Sequence, residues 1–160
     1  MTVPPTTVRG LVARVHPIAG GLALTLIAGF WTVTVLVEVM GAPAAVAGVK
    51  TAIAWALLAL VPALAAAGAS GMTLARGRRD PILDAKRART RLAAANGLLV
   101  LVPAALWLAA KARAGELDAA FYAVQAVELT AGAVNLTLLA RNMRDGFRLA
   151  GRRRANRAVS

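Results

Sequence analysis

The residues in this chain with most chemical potential lie where polar groups are least expected. Glu128 is a carboxylate near the middle of a roughly 20-residue apolar run, Ala119 to Ala140, long enough to cross a bilayer as a helix. At about 100° per residue, Gln125, Glu128, Gly132 and Asn135 fall within roughly an 80° arc of one helix face. Such a stripe must be hidden from lipid, so it requires neighbouring helices or a water-filled cavity. Glu128 is ten residues from Asp118 and thirteen from Arg141, roughly 15 and 20 Å at about 1.5 Å per residue. A carboxyl group at that depth is neutral near pH 7 unless a cation or water accompanies it.

Two chemistries suit this set. Amides and a neutral acid bond helices together, at about 0.6–2 kcal/mol for each hydrogen bond. A titrating acid in the same place serves a proton-coupled or small-ligand site. Pro62 and Pro103 lie at the level of Glu128, and each leaves the carbonyl four residues earlier, Leu58 or Leu99, as an acceptor for a protonated Glu128. Asn96 and Asn135 lie about 8 and 9 Å inside the flanking arginines 91 and 141, at a level where they can meet. They complete a candidate buried polar site of Glu128, Gln125, Asn135 and Asn96. Glu38 and Lys50 are placed for a structural ion pair across the first hairpin.

His16 is the sole histidine, and Pro17 after it suits a first helical turn. One histidine excludes a haem held by two histidines of one chain, whereas His16 with Met72 or Met143 leaves mixed ligation open. With no cysteine there are no thiolate metal sites and no cysteine nucleophiles. The sequence contains no phosphate-binding glycine loop, HExxH pattern or nucleophile elbow. No catalytic residue is therefore assigned, a metal and any cofactor stay unassigned, and a non-enzyme is favoured over an enzyme.

The elements that position these residues follow from the distribution of charge. Of 160 residues 59% are hydrophobic, and the charges are segregated: none lies between 17 and 37, 51 and 75, or 92 and 110. Four transmembrane helices are expected, near 17–39, 51–74, 92–111 and 117–140. Residues 1–141 then form an all-α integral membrane four-helix bundle of two antiparallel hairpins, with residues 142–160 as a basic tail. Gly41 and Pro43 break the chain after the first span, Asp80-Pro81 turns it within a linker at 76–91, and Ala114, Gly115 and Glu116 join spans three and four. Gly21, Thr25, Gly29 and Thr32 share a small-residue face suited to close helix contact, within the chain or between copies.

The net charge of +12 is a topology signal rather than a nucleic-acid footprint. Sixteen of the 19 basic residues flank one side of the spans, and only Lys50, Lys111 and Arg113 fall on the other. By the positive-inside rule both termini are cytoplasmic, in a bacterial inner membrane, with the basic loop and tail against anionic lipids. The expected partners are the bilayer, further copies of the chain or other subunits of a membrane complex, and no nucleic acid.

The strings His16-Pro17-Ile18-Ala19-Gly20, Ala95-Asn96-Gly97-Leu98-Leu99-Val100, Phe121-Tyr122-Ala123-Val124-Gln125 and Asn142-Met143-Arg144-Asp145-Gly146 resemble small, uncharacterised four-span inner-membrane proteins of bacteria. That resemblance implies location and architecture, and no activity. The leading expectation is a small transport or membrane-complex component centred on Glu128. The alternatives are a membrane redox protein binding haem or quinone, and a purely structural subunit.

Overall fold

A computed structural model describes the backbone of residues 5–77 and 80–159 and the side-chain surroundings within 10–77 and 80–151. Arg78, Arg79 and the side chains of Arg9, Arg152, Arg153, Arg154 and Arg157, counted in the basic flanks, lie outside the described residues. The chain forms α1 (Pro5–Met40), α2 (Pro43–Ala75), α3 (Pro81–Asn96), a π-helical turn (Gly97–Leu101), α4 (Val102–Arg113) and α5 (Ala119–Val159). Because α3, the π turn and α4 run on without a break, the described residues hold four helices long and apolar enough to cross a membrane. The protein is a multi-pass, all-α membrane protein.

The helices extend beyond the apolar runs because leaving the hydrocarbon layer does not oblige a helix to end. α1 begins before His16, so Pro17 lies in a helix interior and not at the first turn where sequence placed it. Most of the linker expected at 76–91 is helix: Asp80 Oδ1 accepts from Ile82 N at 2.8 Å and Pro81 occupies the first helical turn, which together start α3 early. The basic tail continues α5. At the other joint, Gly115 has φ +73°, a left-handed conformation open to glycine, and Asp118 caps α5 by accepting from Phe121 N at 2.9 Å.

α1 packs against α2 and α5, α4 packs against the same two, and α3 lies along α5. Two antiparallel hairpins thus close into one bundle. Along α5 the inward positions include Phe121, Gln125, Gly132, Asn135, Asn142 and Leu149, with Glu128 half-buried in the same stripe. Phe121, Glu128, Asn135, Asn142 and Leu149 recur every seven residues, the spacing of a coiled-coil seam. The polar stripe read from sequence is therefore the inner face of α5.

The π turn decides which face of the third membrane helix looks inward. Asn96 and Pro103, seven residues apart, would share a face in a regular α-helix. The wider turn at Gly97–Leu101 inserts a residue and rotates α4 by about 100° relative to α3. Ala104, Ala105 and Leu108 consequently point into the bundle, and Pro103 and Trp107 are exposed on its outside. Pro62 is exposed as well, so neither proline offers its freed carbonyl to Glu128.

Apolar layers lie at different levels. Toward the end bearing the two tight hairpin connections, Phe121 and Leu108 are wholly buried with Val46 and Ala112, flanked by Val37, Leu117 and Val124. Deeper in, Ala23 and Ile27 of α1 pack with Leu60 and Ala63 of α2, flanked by Leu136 and Leu139 of α5. At the far end Ala75, Leu83 and Leu149 join α2, α3 and α5.

Candidate functional site

Between the first two apolar layers is a buried charged centre. Lys50 lies seven residues into α2 from Pro43, and its side chain is 0% exposed. Its ammonium donates to Glu128 Oε2 at 2.5 Å, and Gln125 Nε2 donates to the same oxygen at 3.1 Å. Helical side chains lean toward their own N-terminus. Lys50 and Glu128 therefore both lean toward the hairpin end, while Glu38, near the end of α1, leans away from it. The three side chains converge from α2, α5 and α1.

The ion pair expected between Glu38 and Lys50 is replaced by Lys50–Glu128. Proline at the first turn of α2 starts that helix at 43 rather than 51, which carries Lys50 inside the bundle on the stripe of Val46, Ile53 and Leu60. There α5 supplies a carboxylate of its own. Glu38 stays within Coulombic reach of both Lys50 and Glu128, but its Oε1 is buried with no hydrogen-bond partner. Gln125 Oε1 is likewise buried and unpartnered.

Further from the hairpins, Asn96 Nδ2 donates to Asn135 Oδ1 and to the Ala131 carbonyl, both at 2.9 Å. Asn135 Nδ2 donates in turn to the Ala93 carbonyl at 3.3 Å. This pair joins α3 to α5 and is separate from the charged centre, so the four-residue site read from sequence divides into two. One part is Gln125 and Glu128 with Lys50; the other is Asn96 and Asn135. Trp31 lies near the same region, donating its indole N–H to the Leu129 carbonyl at 3.0 Å. A Cβ on Gly132 would stand 3.1 Å from Trp31 Cδ1, so that glycine makes room for the ring.

His16 joins α1 to α2. Its Nδ1 lies 3.0 Å from the Ala67 carbonyl and 3.1 Å from Ser70 Oγ. A carbonyl only accepts, which assigns the Nδ1–H tautomer and leaves the lone pair on Nε2. Gly71 admits the ring, since a Cβ there would stand 2.9 Å from His16 Cε1. Met72 is exposed on the outside of the bundle.

The end away from the hairpins carries a second polar cluster that sequence inspection counted only as loop charge. Arg89 donates to Asp145 Oδ2 at 2.5 Å, Asn142 Nδ2 donates to Thr90 Oγ1 at 3.0 Å, and Arg87 donates to the Ala75 carbonyl at 2.9 Å. These bonds tie α3 to α5 and to the end of α2. Residues 86–91 sit on helix rather than loop, which is why an Arg and an Asp 56 positions apart find one another.

No protein-family model matches the chain, and no curated protein or solved structure does so either. Among the described residues no group of three or more histidine, aspartate or glutamate side chains is arranged to hold a metal ion.

Proposed function

We propose that the protein is a small transport component of the bacterial inner membrane whose working centre is the Lys50–Glu128 pair with Gln125 and Glu38. The observation that carries this reading is a fully buried ammonium bonded to a carboxylate inside a membrane bundle. Removing two charges from water is expensive, and replacing such a pair by apolar side chains often stabilises a protein. A purely structural bundle gains little from keeping it. Ionisable groups in membrane interiors characteristically pair with one another and mark ion or proton pathways.

Apolar layers on both sides of the centre suit a transport role, since each level is closed by packing that must open to admit an ion. In this reading both termini are cytoplasmic. The finding that Lys50 is internal strengthens the positive-inside argument, because it leaves only Lys111 and Arg113 on the opposite side. The basic flanks then rest against anionic lipid headgroups. The small-residue face at Gly21, Thr25, Gly29 and Thr32 is not covered by the described residues: a Cβ at Gly21 or Gly29 meets none of them within 4 Å. It is the face on which copies, or other subunits, would associate.

The test is charge movement by the purified protein reconstituted in liposomes on a solid-supported membrane, under pH or sodium jumps. Wild type is expected to give a transient current, and Glu128→Gln to lose most of it while retaining the assembly state seen by native mass spectrometry. A silent wild type, or a Glu128→Gln current equal to wild type, overturns the transport reading.

A further inference from the structure

The charged centre is short of one positive charge and holds two buried acceptors that no donor reaches, and a single proton bears on both. Fully ionised, Glu38 and Glu128 set two negative charges against the one ammonium of Lys50. Among the described residues no other charged group bonds to these three side chains. At the hairpin end, Lys111 is held by Glu116 and Asp118, each at 2.7 Å. From α2 the centre receives Lys50, from α5 Gln125 and Glu128, and from α4 the apolar Leu108 and Ala112. An uncompensated negative charge among these groups is costly in a membrane interior.

The unpartnered atoms say where the proton sits. Gln125 is 4% exposed, and its Nε2 donates to Glu128 Oε2, an oxygen that also accepts from Lys50, which leaves Oε1 directed elsewhere. That Oε1 is a buried acceptor with no donor, and so is Glu38 Oε1. Two orphaned acceptors do not satisfy one another. A proton on one of them makes a donor for the other. Glu128 is the wrong host, because its Oε2 already accepts hydrogen bonds from an ammonium and an amide. Glu38 has no such donors on its buried oxygen.

We propose that Glu38 binds an exchangeable proton on Oε1 and donates it in a hydrogen bond to Oε1 of Gln125, making Glu38 the ion site of the bundle. Binding adds one proton to the carboxylate and breaks no other bond; release restores the negative charge beside Lys50. The ammonium then has two carboxylates within Coulombic reach, Glu128 on α5 and Glu38 on α1, and its preference for either depends on whether the proton is present. The inference rests on the transport reading for the purpose of the proton, while the site itself stands on the unpartnered oxygens.

Infrared difference spectroscopy of the full-length protein in nanodiscs tests the site without reference to transport. At pH 7 the carbonyl stretch of a neutral carboxylic acid is expected; it is lost in Glu38→Gln and kept in Glu128→Gln. Gln125→Leu removes the acceptor and is expected to shift the band to higher frequency, which keeps the test open should Glu38→Gln fail to fold. The proposal is overturned if no neutral-acid band is present at pH 7, if the band survives Glu38→Gln, or if Gln125→Leu leaves its position unchanged. It is equally overturned if sodium at fixed pH abolishes the band, since the site would then take a metal cation. A silent transport assay with an intact Glu38 band would sink the transport reading and leave the proton site standing.

Discussion

Lys50 and Glu128 are 78 positions apart in sequence, and their side chains meet at 2.5 Å in the interior of the bundle. Each was brought there by a different signal: Lys50 by the early start of α2 at Pro43, Glu128 by the seven-residue seam of α5. The contact fixes the spacing of α2 and α5 across the bundle, because a short bond between two buried groups leaves neither free to move alone.

Removing one partner of this pair should harm the fold more than removing both. Lys50→Met strands Glu128 with only Gln125 as donor, and loss of one partner of a buried pair typically costs about 3–5 kcal/mol. Lys50→Met with Glu128→Leu restores neutrality and should recover most of that loss. Denaturant titration in mixed detergent micelles, followed by tryptophan fluorescence, measures all three variants. If the double variant is as unstable as the sum of the singles, the two groups are not coupled.

Gly132→Ala should displace Trp31. The added methyl would stand 3.1 Å from Trp31 Cδ1, so the ring must shift and its bond to the Leu129 carbonyl must lengthen or break. Overpacking of this kind typically costs about 1–3 kcal/mol. A changed fluorescence contribution from Trp31, read with Trp55 and Trp107 replaced by Phe, together with a lower unfolding midpoint would report the shift. An unchanged spectrum would mean that the helices part without strain.

The fold was legible in the sequence wherever a decision rested on one helix at a time. Three charge-free runs and the apolar run that carries Glu128 give four helices, and the arc from Gln125 to Asn135 gives the inward face of α5. What was not legible depended on phase or on partners. The rotation at Gly97–Leu101 comes from one inserted residue, and it puts Pro103 on the outside although regular helical counting places it on the face of Asn96. Lys50 has the look of a border charge because it ends an apolar run, whereas Pro43 and the spacing of Val46, Lys50, Ile53 and Leu60 place it on an inner stripe. No local pattern could have shown that its partner would be Glu128, since Glu38 is nearer in sequence and the choice is made by the packing of α5 against α1.

The Asn96–Asn135 pair should show the same asymmetry on a smaller scale. Asn135 is 2% exposed, and its Oδ1 accepts from Asn96. Asn96→Ala leaves that oxygen buried without its donor, at about 1–3 kcal/mol. Adding Asn135→Leu removes the stranded group and should return part of the stability. The same micelle titration distinguishes the cases: a double variant less stable than Asn96→Ala alone would show that Asn135 acts chiefly through the Ala93 carbonyl.

Acid should open the clasp at the α4–α5 connection. The Lys111 ammonium, hydrogen-bonded to Asp118, holds that carboxyl below the usual carboxylate range, and the Phe121 backbone N–H adds to the effect. A group whose pKa is depressed by folding contributes stability above its unfolded value, and the contribution disappears as pH falls through its folded value. Asp118→Asn keeps a good helix N-cap but removes the charge. Wild type should therefore melt at a higher temperature than Asp118→Asn at pH 7, and the gap should close on acidification below about pH 4. Because Asp118 is exposed, added salt should narrow the gap at pH 7 as well. Thermal melts of both proteins at the two pH values decide the matter: a gap that persists in acid would assign the difference to capping alone, and the charge pair would have no part in holding the connection.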